Sequence, residues 1–112
     1  MPRDCKVYLE DILEAIQKIG RFTEKQTLKK FSNDEKTFDA VIRNLEIIGE
    51  AINKFPEEVR KKHPEVEWRK ISGLRNVLIH EYFGINAEII WDIVRNKLPQ
   101  FEKQIRKVKK TL

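Results

Sequence analysis

Apolar residues recur along almost the whole chain at the three- and four-residue steps of an amphipathic helix. Cys5, Leu9, Ile12, Ile16 and Ile19 predict a first helix, with Asp4 as its N-cap and Gly20 as its stop. A short second element is predicted from Thr23 to Phe31, because Thr23 and Gln26 have capping-box spacing. Ser32 and Glu35 repeat that spacing before a stronger helix. Its stripe is Phe38, Val41, Ile42, Leu45, Ile48, Ile52 and Phe55, and Pro56 ends it. One helical turn is expected over residues 57–63.

A further helix opens near Glu67, with Trp68, Ile71, Leu74, Arg75, Leu78 and Tyr82 on one broad face and Gly84 as the first break. Asn86 caps a last helix whose stripe is Ile90, Val94, Leu98, Phe101, Ile105 and Val108. Pro99 falls inside that stripe and predicts a kink, since it lacks a backbone donor and crowds the carbonyl of Arg95. No segment alternates with period two between turn signals. The pattern predicts an all-α bundle of four to five helices forming a single domain over residues 1–112. Trp68, Trp91, Tyr82 and Phe83 are a large aromatic surface for so small a bundle. A homodimer that closes part of it is expected.

Composition narrows the class. The chain has 112 residues, 40% hydrophobic and 37% charged, with four Gly and four Pro. No apolar run approaches the roughly 18 residues of a membrane span, and Met1–Cys5 has no apolar leader core. A cytoplasmic protein is expected. One Cys and two distant His exclude a disulfide framework and zinc-finger spacing. The net charge of +5 is local: residues 95–112 carry +6 and the remaining chain −1. This basic tail is either a solvated helix end, where Lys and Arg favour the helix dipole, or a patch that steers phosphates.

The segment from Ser72 to Gly84 places Arg75, Asn76, His80 and Tyr82 among Leu, Val, Ile and Phe. Burying four polar groups costs free energy unless each finds a partner. One reading is an internal network, with Asn76 and His80 paired at i,i+4 and Arg75 on a carboxylate. The other makes Arg75 an anion clamp and His80 a general acid/base, as in metal-free RNA cleavage. At about 100° per residue Arg75 and Tyr82 share a face, whereas His80 lies about 140° from Arg75. For Arg75 and His80 to meet, either the helix unwinds after Ile79 or the two come from different protomers across a two-fold axis.

The spacing Arg75-Asn76-x-x-x-His80-x-Tyr82 resembles the R-x-x-x-x-H-x-Y signature of HepT toxins, a branch of the HEPN superfamily of α-helical RNases. The stretch from Phe38 to Ala51 is similar to that family's second-helix motif, and Trp68 to Leu74 to its lead-in. The resemblance runs in order over almost the full chain. It implies a HEPN-type homodimer and the toxin half of a toxin–antitoxin pair, acting as a metal-independent endoribonuclease with RNA as substrate and no cofactor. Arg75 and His80 would be the active pair, with Asn76 orienting neighbouring groups. Tyr82 would receive AMP from a minimal nucleotidyltransferase antitoxin of the MntA type, which silences the enzyme and can assemble with it in a larger complex. The rival expectation is a non-catalytic helical module that docks such a nucleotidyltransferase.

Glu46 and Glu50 are like charges at i,i+4, with Arg43 on the same flank. They form either a solvated edge relieved by Arg43 or a carboxylate support for Arg75 or His80. Cys5 is expected in the core, and His63, in a charged loop, on the surface without a role. Lys54, Lys61, Lys62 and Lys70 are either phosphate contacts or ordinary surface.

Overall fold

Helices fill the described chain, and the links between them are short. The computed structural model describes residues 5–80 and 86–112, apart from the side chains of Arg75, Val77, Ile79 and His80. Its elements are α1 (Cys5–Thr23), α2 (Leu28–Ser32), α3 (Glu35–Asn53), α4 (Glu57–Lys62), α5 (Trp68–His80), α6 (Ala87–Asp92), a π-turn (Ile93–Lys97) and α7 (Leu98–Lys110). The expected all-α architecture is present, and there is no strand among the described residues. Four long helical stretches carry the bundle, because α6, the π-turn and α7 run on as one rod. The two short helices, α2 and α4, join them.

Several boundaries differ from those the spacing predicts. Helix α1 does not stop at Gly20 but continues to Thr23, whose hydroxyl donates back to the Ile19 carbonyl at 2.8 Å. Gly20 sits on the exposed side, where a helix tolerates glycine at a cost of about 1 kcal/mol. Thr23 therefore ends a helix rather than starting one. The cap of α2 is Thr27, which accepts from the Lys30 amide at 3.2 Å. Helix α3 is capped by Asp34 and not by Ser32, whose hydroxyl donates to the Leu28 carbonyl instead. Asp34 accepts from the Thr37 amide at 3.1 Å and the Thr37 hydroxyl at 2.6 Å. These bonds, the hydroxyl's first, hold its carboxyl below the usual value. Asn86 caps α6 as predicted, accepting from the Glu88 amide at 2.7 Å. The expected Asp4 cap and the Gly84 break lie outside the described residues.

At Pro99 the rod widens into one π-turn. The Leu98 amide bonds the Ile93 carbonyl, five residues back, so the missing proline donor falls where the ladder has already shifted. Arg95, inside this turn, reaches across to the end of α1. Its Nη2 donates to the Thr23 and Gln26 carbonyls, both at 3.0 Å, and its guanidinium lies 4.4 Å from the Trp91 ring centroid. Arg60 does the same for α3, donating to the carbonyls of Ile52, Asn53 and Phe55. Both arginines thus set a cation against carbonyls at the negative end of a helix.

One apolar cluster runs through the protein. Helix α3 packs along α1 on one side and α5 on the other, α7 lies against α1, and α2 and α6 meet at one end. Leu9, Ile12, Ile19, Val41, Ile52 and Ile105 are fully buried, each contributing about 1.5–3 kcal/mol. The two tryptophans pack on this interior. Trp68 is buried against Phe55, with ring centroids 5.4 Å apart, and its indole N–H donates to the His63 carbonyl at 2.9 Å. Trp91 packs on Phe31, their centroids 5.2 Å apart. Cys5, expected in the core, is only half-buried.

His63 is the opposite correction. It is 6% exposed, and its Nε2 lies 2.9 Å from the Thr111 hydroxyl. The loop histidine thereby fastens the far end of α7 to the α4–α5 corner. A charged neighbourhood made it look solvated, but the bond that buries it spans 48 positions and has no local signature.

Candidate functional site

Helix α5 carries the polar signature, and its packing shows how the helix is held. Trp68, Leu78 and half-buried Ile71 and Leu74 seat it on the bundle. Near its start the Ser72 hydroxyl donates to Asn53 Oδ1 at 3.1 Å, tying α5 to the end of α3. Arg75, Asn76 and His80 all belong to this single helix, which stays α-helical through His80. Unwinding after Ile79 is therefore not how Arg75 and His80 could come together. On a regular helix their Cα directions diverge by about 140°. Asn76 is exposed. Tyr82 lies outside the described residues, as do the side chains of Arg75 and His80.

Of the two carboxylates, Glu46 is 21% exposed and its Oε2 lies 3.5 Å from Arg43 Nη1 on the same helix. Arg43 thus offsets the Glu46 charge from within α3. Glu50 is exposed on α3. Among the described residues no three His, Cys, Asp or Glu side chains gather to hold a metal ion. No described helix is long and apolar enough to cross a membrane.

Two features escaped the sequence patterns. The first is an open groove of about 640 Å³ between α5 and the α6–α7 rod. Leu45 and Ile48 of α3 form its floor, with Ile71 and Leu74 on one wall and Ile93 and Phe101 on the other. Ile89, on its edge, is 59% exposed, which is unusual for so large an aliphatic residue. Each of these residues looks like core in its own helix, and Leu45, Ile48 and Phe101 are indeed buried; the opening between the helices shows only in the fold. The second feature is the division of labour in the basic tail. Arg95 staples α1, Arg106 binds Glu102 at 2.8 Å and Lys109 binds Glu10 at 2.7 Å. These three charges are used within the protein.

Comparison with known proteins bears on the whole chain. The family model described as ribonuclease HepT-like matches residues 12–108. A Methanocaldococcus jannaschii protein provisionally named an RNase is 49% identical over 113 aligned residues, covering 100% of this chain and 93% of that protein. A Thermococcus cleftensis protein provisionally named ribonuclease HepT is 43% identical over 98% of this chain and 100% of its own. A further RNase-named protein, from Caldanaerobacter subterraneus, is 41% identical over 90% of each. No solved structure matches the chain.

Proposed function

Because the chain belongs to the ribonuclease HepT-like family, we propose that it is an endoribonuclease that cuts RNA without a metal, using Arg75 and His80 of α5 as its active pair. The observation that carries this reading is the family match over residues 12–108, which encloses the whole of α5. RNA brings its own nucleophile, the 2′-hydroxyl. An imidazole takes its proton as the O2′–P bond forms, and a proton passes to the departing 5′-oxygen as the P–O5′ bond breaks. A guanidinium faces the negative charge gathered on the phosphorane. Asn76 orients the polar groups beside it, and Glu46 or Glu50 supports them from α3.

A second copy supplies the juxtaposition that one straight helix lacks. The groove beside α5 is the seat we assign to it. Glu65, Glu67 and Asp92 stand with Lys70 and Lys97 around its lining, and this mixture of signs suits a self-complementary two-fold contact. Ile89→Glu should then yield monomers by light scattering and lose cleavage; a variant that stays dimeric puts the interface elsewhere. In the same reading the chain, one HepT-like unit over residues 1–112, is the cytoplasmic toxin of a toxin–antitoxin pair. Its partner is an MntA-type nucleotidyltransferase that places AMP on Tyr82. The added phosphate and base would occupy the space and the cation that substrate needs.

The deciding experiment incubates purified protein and His80→Ala with RNA in EDTA. Wild type should cleave with a pH profile set by an imidazole, and the variant should not. Loss of cleavage in chelator that magnesium or manganese restores would overturn the metal-free mechanism. Equal cleavage by His80→Ala would overturn the site. A wild type that cuts no RNA yet accepts AMP on Tyr82 would make the protein the non-catalytic docking module.

A further inference from the structure

Helix α7 presents three cations that no carboxylate of the described residues holds. Lys103, Lys107 and Lys110 are exposed, and among the described residues none is paired with a carboxylate. At about 100° per residue they fall within about 60° of one another, on the side opposite the buried Ile105. They form a line about 10 Å long. Among the described residues, two carboxylates beside α7, Glu102 and Glu10, are held by Arg106 and Lys109.

The fold adds to that line from a distant part of the chain. The bond of 2.9 Å between His63 and Thr111 joins the end of α4 to the end of α7. Lys61 and Lys62, exposed and likewise unpaired among the described residues, precede His63, and Lys110 precedes Thr111. The ends of two lysine-bearing segments separated in sequence are thus joined at one pole of the bundle, and the line from Lys103 to Lys110 runs up to it. Glu65, at the same corner, has its carboxylate 3.7 Å from His63 Nδ1.

We propose that this pole, Lys61, Lys62, Lys103, Lys107 and Lys110, is a binding site for the sugar–phosphate backbone of single-stranded RNA, remote from the point of cleavage. The proposal rests on the ribonuclease reading for its choice of polyanion. A lipid surface fits less well, because the apolar face of α7 (Phe101, Ile105 and Val108) is spent on the core and has nothing left to insert. The pole adjoins the start of α5, since Trp68 is bonded to His63. His80 closes the other end of that helix, about 18 Å along its axis. Substrate held at the pole is therefore gripped several nucleotides from the active pair. Such a grip raises affinity for long RNA and leaves the chemical step alone.

The test uses a non-cleavable probe, a long 2′-O-methyl oligonucleotide, with binding followed by fluorescence anisotropy between about 50 and 200 mM salt. The triple variant Lys103→Gln/Lys107→Gln/Lys110→Gln keeps its circular-dichroism spectrum and melting temperature. Its slope of log K against log salt should shrink by about 2, from three lost phosphates at about 0.7 each. The control Lys29→Gln/Lys30→Gln, on exposed α2, should leave the slope within about 0.5 of wild type. In cleavage assays the triple variant should raise KM for long RNA about tenfold or more, with kcat kept and trinucleotide cleavage unchanged. An unchanged slope in the folded triple variant overturns the proposal, and so does an equal drop in the control. A variant that loses binding to phosphatidylserine vesicles but not to RNA also overturns it, in favour of a membrane. Salt-dependent RNA binding through the pole without cleavage would refute the ribonuclease reading and leave the pole standing.

Discussion

Arg95→Met is the sharpest test of the claim that one charge in the basic tail is structural. The side chain is partly exposed, so its two bonds to the Thr23 and Gln26 carbonyls are screened; about 0.5–1 kcal/mol apiece is appropriate. Its place over the Trp91 ring adds about 0.5 kcal/mol. Methionine retains most of the aliphatic stem, so lost packing is minor. The sum is about 2 kcal/mol. Unfolding entropy of about 2.1 cal/mol/K per residue over 112 residues turns that into a melting temperature lower by about 8 °C. Arg95→Lys keeps the charge but loses the fork, and should recover about half. Thermal melts should be run beside Lys97→Met, an exposed neighbour in the same π-turn with an expected effect of about 0.5 kcal/mol or less. If Arg95→Met costs no more than Lys97→Met, the tail is uniformly solvated and the stapling argument fails.

Gly20→Ala should raise stability by about 0.5–1 kcal/mol in urea titrations, because the added methyl meets nothing within 4 Å beyond its own stretch of helix backbone; destabilisation would contradict that geometry. Asp34→Ala should lower the urea midpoint at neutral pH. The depressed carboxyl stabilises the fold above its unfolded value near 3.9, and that support is lost as pH falls through the lower folded value. The difference between wild type and variant should therefore vanish in strong acid, and a pH-independent difference would assign the effect to packing. Tyr82→Phe should keep at least part of its RNase activity and escape silencing by a cognate nucleotidyltransferase with ATP. Intact-mass spectrometry that finds AMP on the Phe variant, or none on the wild type, would refute the assignment.

The long helices were legible because each buries one continuous stripe, and a period of 3.6 survives whatever lies beyond it. Short-range capping was legible only where one candidate stood alone. Asn86 had no competitor; Ser32 had the spacing for α3, but Asp34, whose carboxylate meets both Thr37 donors, takes the cap. The roles of His63 and Arg95 were hidden for another reason. Their partners lie 48 and about 70 positions away, and nothing in the neighbouring residues encodes such a contact. For the candidate site, the motif put Arg75, Asn76 and His80 on one helix, where the structure has them. The groove, which α5 lines with Ile71 and Leu74, forms between helices, and no single helical stripe records it.

That groove sets the mechanical standing of α5. Among the described residues α5 leans mainly on α3, and the groove lies between it and the α6–α7 rod. The open side makes a local opening of α5 the expected first step away from the α1–α3 pair, and its described amides should exchange with solvent before those of α1 and α3. Anything that seats in the groove closes this route, stabilising α5 by an amount that grows with the logarithm of its concentration. Assembly would then harden the helix that carries the signature residues, so that the integrity of the candidate site follows the abundance of the chain.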